Sequence, residues 1–246
     1  MENTEKTMRI QVLKDYKELS ERGAAIIAET VRQNPRAVLG LATGATPEGV
    51  YDELVSMYEA GALDFSGVTT VNLDEYYPID PSDEQSYRYF MEKHLFSRVN
   101  IRPENTNLPM GSAPDPVEEA VRYEGLLASL GYADLQLLGV GQNGHIGFNE
   151  PAEALFAETH LTPLTESTLA ANSIYFTDRT MPTEALTMGM GSILRAKRIL
   201  LLASGKSKHA AITRLLAGEI TTECPITFLL LHPCCTVLCD RAVYEG

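Results

Sequence analysis

The sequence predicts an α/β fold: an open, mostly parallel, Rossmann-like sheet with helices on both faces. Short continuous runs of Val, Leu and Ile alternate with longer amphipathic segments, and Gly residues bound several of the runs. Strands of a parallel sheet have this composition because helices bury them from both sides. The chain has 246 residues, of which 44% are hydrophobic, and this is enough for one sizeable core. We therefore predict a single domain over residues 1–246.

The order of the elements follows from the apolar pattern. Five short apolar runs are predicted to be buried strands: residues 37–42, 68–73, 134–140, 197–203 and 236–239. The amphipathic segments between them are predicted to be helices: residues 47–60, 86–95, 117–130 and 208–216. The first helix is expected to begin at Pro47 with Thr46 as its N-cap, because proline suits the first helical position and threonine accepts a bond from a free amide. Residues 151–173, rich in Thr, Ala and Glu, are predicted to form a mobile lid.

Charge and composition exclude several classes of partner. The formal net charge is −13, which argues against nucleic acid or an anionic membrane surface. The first residues are polar, and no stretch approaches the roughly 20 apolar residues that cross a bilayer. The cysteines lack the paired spacing of a zinc site, and they are expected to be apolar side chains of the last strand and the loop before it: Cys224, Cys234, Cys235 and Cys239. We expect a cytoplasmic protein without a metal.

Polar loops follow four of the predicted strands, where open α/β sheets bind their ligands. In the loop LATGATP, Gly44 and Ala45 are small enough for close backbone approach, and the hydroxyls of Thr43 and Thr46 can bind an anion beside a helix N-terminus. The alternative is an ordinary capped turn. In the loop SGKSK, Lys208 is suited to a phosphate contact, and the alternative is a solvated basic turn.

Two further loops carry groups suited to proton transfer. Asp74 and Glu75 follow a strand in NLDEY, where a partly buried carboxylate can act as a general base or can cap nearby amides. The segment GVGQNGHIGFNEP contains a literal G-x-G-x-x-G, but its histidine and its Asn-Glu-Pro run do not suit a helix that receives a pyrophosphate. It instead brings together Asn143, His145 and Glu150, and an imidazole oriented by a carboxylate or an amide is an acid–base unit near neutral pH.

These segments together resemble the glucosamine-6-phosphate deaminase family, in particular its short bacterial branch. The similar blocks are LGLATGATPEGVYDEL, TTVNLDEYYPID, LQLLGVGQNGHIGFNEP and LTMGMGSILRAKRILLLASGKSKHA, and they run from about residue 38 to the C-terminus. The resemblance implies conversion of glucosamine 6-phosphate and water into fructose 6-phosphate and ammonia. It implies neither a metal nor an organic cofactor.

The resemblance also implies a role for each site residue. Asp74 would move a proton between C2 and C1 of the open-chain sugar, and His145 would promote ring opening. Glu150 and Asn143 would orient the imidazole. Lys208 and the TGATP loop would bind the substrate phosphate.

Some positions depart from the family pattern. Ile174 stands where the family usually places an arginine on the phosphate, which predicts a raised KM or a related substrate such as galactosamine 6-phosphate. Asn143 replaces the aspartate of some members, and Ala45 replaces a common glycine. The segment after Asn-Glu-Pro has no Lys or Arg, so an anionic effector is not expected there.

We expect a monomer or small homo-oligomer that binds an amino-sugar phosphate. The intact blocks argue against the 6-phosphogluconolactonases, which share the fold, and a non-catalytic sugar-phosphate sensor is the remaining alternative.

Overall fold

A computed structural model describes residues 8–173, 176 and 180–246. Its main sheet is entirely parallel and has the strand order β1-β10-β9-β6-β2-β3-β5. The strands of this sheet are β1 (Arg9–Leu13), β2 (Val38–Leu41), β3 (Thr69–Asn72), β5 (Thr106–Asn107), β6 (Leu135–Leu138), β9 (Ile199–Ala203) and β10 (Cys235–Asp240). A smaller antiparallel sheet has the order β4-β8-β7 and consists of β4 (Asp74–Tyr77), β7 (His160–Pro163) and β8 (Glu184–Thr187).

Helices cover both faces of the main sheet. They are α1 (Tyr16–Gln33), α2 (Ala45–Glu59), α3 (Tyr87–His94), α4 (Pro116–Leu130), α5 (Glu166–Asn172), α6 (Met190–Leu194), α7 (His209–Leu216) and α8 (Arg241–Glu245). Alternate residues of each strand enter opposite cores: Leu200 packs with α1 and α2, whereas Leu201 packs with α4, α6 and α7. The predicted α/β class, with helices on both faces, is confirmed. Within the described residues, no helix is both long and apolar enough to cross a bilayer.

The five predicted strands and four predicted helices are all present, with ends that differ by one or two residues. The predicted start of the helix over residues 47–60, which is α2 in the structure, is wrong. Helix α2 begins at Ala45, and its N-cap is Gly44, whose φ of 104° is a conformation that favours glycine. Pro47 is therefore the third helical residue, where its missing amide costs no intrahelical bond. Thr46 lies inside the first turn rather than at the cap.

The smaller sheet corrects one further expectation and adds detail to another. Asp74 and Glu75 belong to a strand rather than a loop, because β4 pairs with β8 across them. The predicted lid, residues 151–173, contains strand β7, which pairs with β8, and the whole of α5. Its mobility stays a prediction. Three of the cysteines are buried and Cys234 is exposed, and all four are free thiols.

The strand order creates a crevice at the carboxyl edge of the main sheet. Strand β2 lies beside β6, and from these two strands the chain continues in opposite directions along the sheet. The loops that follow them therefore separate, and such a switch point is where open α/β sheets bind ligands. The crevice is the place where the polar loops of the sequence meet.

Candidate active site

A cavity of about 760 Å³ lies at this edge of the sheet. Most of the predicted site residues line it, namely Thr43, Gly44, Ala45, Thr46, Asp74, Asn143, His145 and Lys208. Glu150 lies behind the wall and contacts the side chains of Asn143 and His145. The four loops that the sequence singles out thus form a single site.

The His145 imidazole is held by two oxygen atoms. Its Nδ1 lies 2.8 Å from Asn143 Oδ1 and 3.3 Å from Glu150 Oε2. Asn143 Nδ2 donates to Glu150 Oε2 at 2.7 Å, which fixes the orientation of the amide. Because both groups that face Nδ1 are acceptors, we assign the ring proton to Nδ1. Nε2 is then the free acceptor, as a group that exchanges protons with a ligand requires.

Glu150 is a charged carboxylate despite its partial burial. Burial raises its pKa, but hydrogen bonds and charge from His145, with bonds from Thr168 and Asn143, outweigh this effect and lower the pKa to about 2. Thr168 Oγ1 donates to Glu150 Oε1 at 2.6 Å. The carboxylate therefore stays ionised beside the imidazole throughout the neutral range.

Packing requires two of the glycines in the histidine loop, residues 139–151. A Cβ at Gly141 would overlap the imidazole ring of His145, and the Gly141 amide donates to the His145 carbonyl at 3.0 Å. Gly144 has a φ of 88°, and a Cβ there would overlap Cys224 Sγ. These contacts explain the second and third glycines of the G-x-G-x-x-G pattern without a pyrophosphate, whereas a Cβ at Gly139 would meet no atom within 4 Å.

Asp74 presents a buried carboxyl group to the cavity. Its exposed fraction is 6%, and the described residues form no hydrogen bond to its carboxyl. Burial, and secondarily the charge of Glu75, raises the pKa of Asp74 to about 8. The histidine loop passes beside it, since a Cβ at Gly147 would approach Asp74 Oδ2 to 3.2 Å. The site therefore places an unsatisfied carboxyl and an oriented imidazole in one cavity.

Glu75 points to the opposite side of β4 and serves the fold. Its Oε1 accepts from the amides of Tyr76 at 2.9 Å and Tyr87 at 2.8 Å, and its Oε2 accepts from the Arg88 amide at 2.9 Å. Burial raises the pKa of Glu75 to about 7, although these amide bonds lower it. Amide capping, the alternative considered for this dipeptide, applies to Glu75 and not to Asp74.

The other end of the cavity is suited to an anion. The first turn of α2 has amides without intrahelical acceptors, and Thr43 and Thr46 lie beside them. Lys208 also lines the cavity, and burial lowers the pKa of its ammonium group. None of the ion pairs between described residues includes Lys208.

The loop that carries Lys208 is held from behind by Asp240. Asp240 Oδ2 accepts from Ser204 Oγ at 2.6 Å and from the Gly205 amide at 3.0 Å. Gly205 has a φ of 84°, which the turn requires. Asp240 thereby fixes the backbone between strand β9 and helix α7.

Several lining residues were not predicted, among them Tyr87, Phe148 and Thr168. Thr168 lies in a cap pattern that the sequence does show, since Thr165 is the N-cap of α5 and accepts from the Thr168 amide. Ile174 lies outside the described residues, so its effect on phosphate binding stays a prediction. The expectation that no metal or cofactor is needed also stays a prediction.

Comparison with known proteins identifies the family of the chain. The family model described as glucosamine-6-phosphate isomerases/6-phosphogluconolactonase matches residues 14–237. The glucosamine-6-phosphate deaminase of Bacillus velezensis is 50% identical over 240 residues, covering 97% of this chain and 100% of that protein. The deaminase of Clostridium perfringens is 50% identical over 226 residues, covering 92% and 93%.

Solved structures extend the comparison. A monomeric glucosamine-6-phosphate deaminase has a TM-score of 0.94 and 46% identity, covering 97% of this chain and 99% of that one. The 6-phosphogluconolactonase of Trypanosoma cruzi has a TM-score of 0.79 at 19% identity, covering 98% and 97%, and this similarity concerns the fold alone.

Proposed function

Because the chain belongs to the family of glucosamine-6-phosphate isomerases and 6-phosphogluconolactonases, we propose that its cavity converts glucosamine 6-phosphate and water into fructose 6-phosphate and ammonia. The observation that carries the proposal is the pairing of two proton-transfer groups in one cavity. Asp74 supplies an unsatisfied carboxyl, and His145 supplies an imidazole backed by a carboxylate. Isomerisation and ring opening each require one such group.

Ring opening is the task of His145. In the cyclic sugar, Nε2 accepts the proton of the C1 hydroxyl while the bond between C1 and the ring oxygen breaks. The same nitrogen then returns the proton to the ring oxygen, so the open-chain aldehyde forms without net proton uptake. Glu150 supports the transient imidazolium, because its charge and its contact with Nδ1 favour the protonated ring.

Isomerisation is the task of Asp74. Its carboxylate removes the proton from C2 while the ammonium group of the substrate gives a proton to the C1 oxygen, which leaves a hydroxy-enolamine across C1 and C2. The carboxylic acid then returns its proton to C1, which leaves an iminium group at C2 and restores the carboxylate. Water then adds to C2 and ammonia departs, giving the ketose. A pKa near 8 suits both steps, because the ionised carboxylate is a strong base and its protonated form is available for transfer to C1.

The anion-binding end of the cavity holds the phosphate group. The amides of the first turn of α2, the hydroxyls of Thr43 and Thr46, and the Lys208 ammonium supply the contacts. These local donors act at short range, so they bind an anion although the net charge of the chain is −13. We further propose a cofactor-free cytoplasmic enzyme, and the monomeric state of the solved deaminase favours a monomer.

The test is a coupled assay of ammonia release from glucosamine 6-phosphate. We expect wild-type turnover, and a loss of about 100-fold to 10,000-fold in kcat for Asp74→Asn. The exposed carboxyl Glu84 provides the control, and Glu84→Gln should keep full activity. We also expect kcat/KM of the wild type to rise with pH until Asp74 is ionised, near pH 8.

Related substrates are compared in the same assay. Faster ammonia release from galactosamine 6-phosphate, the alternative that Ile174 keeps open, would reassign the substrate within the same reaction. Binding of either sugar phosphate without ammonia release would refute catalysis and favour a sensor.

A further inference from the structure

One side chain of helix α5 contacts the carboxylate behind the catalytic imidazole. The two oxygens of Glu150 point to different elements: Oε2 faces Asn143 at 2.7 Å and His145 at 3.3 Å, whereas Oε1 accepts from Thr168 Oγ1 at 2.6 Å. The carboxylate is therefore a bridge between α5 and the histidine loop. Glu150 and Thr168 are 18 residues apart along the chain, so their contact forms only in the folded protein.

The Thr168 hydroxyl is itself fixed in place. The side chain is 9% exposed and lines the cavity. Thr168 Oγ1 accepts a hydrogen bond from Thr165 Oγ1 at 3.0 Å, and the Thr168 amide donates to Thr165 Oγ1 at 3.3 Å. With an acceptor contact satisfied by Thr165, the single hydroxyl proton is directed at Glu150, where it forms a short bond to a charged oxygen.

We propose that Thr168 is a positioning residue that holds Glu150 against the imidazole of His145. The placement of α5 then determines how well Glu150 orients and supports the imidazole that opens the sugar ring. For its catalytic consequence this rests on the proposed function. Loss of the Thr168 bond frees Glu150 Oε1, and the carboxylate can then rotate away from Nδ1. Thr165 Oγ1 also donates to Glu150 Oε1, but at 3.4 Å this contact is much longer than the 2.6 Å bond from Thr168.

Other ionisable groups share the cavity with His145. They are Asp74 on β4, Tyr87 on α3 and Lys208 before α7. None of them forms a described hydrogen bond with Thr168, so a change at Thr168 reaches the imidazole through Glu150. This separates the effect of Thr168 from a general change in the charge of the cavity.

The experiment compares Thr168→Val, which keeps the shape and removes the hydroxyl, with Thr168→Ser, which keeps the hydroxyl. The hydrogen bonding of His145 is followed in the full-length protein by NMR of the ring nitrogens at a fixed pH, without substrate. We expect the Nδ1 resonance of His145 to shift in Thr168→Val and to stay at the wild-type position in Thr168→Ser. In turnover assays, we expect kcat of Thr168→Val to fall roughly 10-fold, with KM changed less than about twofold.

A double-mutant cycle that combines the changes at Thr168 and Glu150 completes the test. In a Glu150→Ala background, Thr168→Val should leave the His145 Nδ1 resonance unchanged, because the bridge is already absent. A His145 Nδ1 resonance that Thr168→Val does not move in the wild-type background would overturn the proposal, and so would a change confined to KM. If Thr168→Val does not fold, Thr168→Ala gives the same comparison. Because the NMR measurement needs no turnover, it decides the role of Thr168 even if ammonia release is never detected.

Discussion

Replacement of Asp74 by Asn should change the pH dependence of stability, and the sign follows from burial. Asp74 has a pKa near 8 in the folded protein, against an ordinary value of 3.8 for an aspartate. Between these values the folded chain holds a proton that the unfolded chain releases. The contribution of Asp74 to stability is therefore complete below about pH 4, and it is lost as the pH rises toward 8. Asn at this position has no proton to lose.

The size of the effect follows from proton linkage. One proton released on unfolding lowers the free energy of unfolding by about 1.4 kcal/mol per pH unit. Between pH 5 and pH 7, the wild type should therefore lose about 3 kcal/mol relative to Asp74→Asn. Glu75 also has a raised pKa, but it is present in both proteins, so the difference between them reports Asp74.

The assay is urea denaturation at half-unit pH intervals, analysed as the difference in free energy of unfolding between Asp74→Asn and the wild type. Glu84→Gln, which removes an exposed carboxyl, controls for the change in net charge and should give an almost constant difference. Parallel curves for Asp74→Asn and the wild type would refute the reasoning, since Asp74 would then be ionised in the folded protein at neutral pH.

Three further predictions concern catalysis and phosphate binding. Gly141→Ala should lower kcat/KM by about 100-fold with the protein still folded, because the new Cβ displaces the His145 ring; turnover and Tm are measured together. Asp240→Ala should raise KM roughly 10-fold and lower kcat less, because the loop that carries Lys208 loses its support; weaker inhibition by inorganic phosphate would accompany it, and an unchanged KM would contradict it. Ile174→Arg should lower KM by about 10-fold if a bidentate phosphate contact is restored, and no improvement would remove position 174 from the account of phosphate binding.

The sequence predicts the parts of this protein that depend on local pattern. Buried parallel strands are continuous apolar runs, so β2, β6 and β9 stand out, and the loops after them necessarily meet at one edge of the sheet. Strand β1 was missed because its edge position leaves it partly exposed, as its sequence RIQVL indicates. Strand β4 was missed because its sequence is DEYY, with two carboxyls at its start.

Other features of the site depend on contacts between distant segments. The bond between Thr168 and Glu150 exists only because α5 packs beside the histidine loop, and no local pattern specifies that distance. The raised pKa of Asp74 likewise comes from burial, and the run of polar residues around it in the sequence does not indicate that burial. Periodicity locates the elements, whereas the relative placement of the elements determines the chemistry of their side chains.

The opposite orientation of Asp74 and Glu75 means that the alignment of one short strand decides which carboxyl group enters the cavity. Successive residues of a strand face opposite sides, and β4 is paired so that Asp74 lies opposite Thr187 and Glu75 opposite Leu186. A slip that carries Glu75 to the position opposite Thr187 would place the glutamate in the cavity and turn Asp74 to the other face of the strand. Deletion of a single residue between β3 and β4 would therefore replace the aspartate of the cavity with a glutamate, whose side chain is one methylene longer.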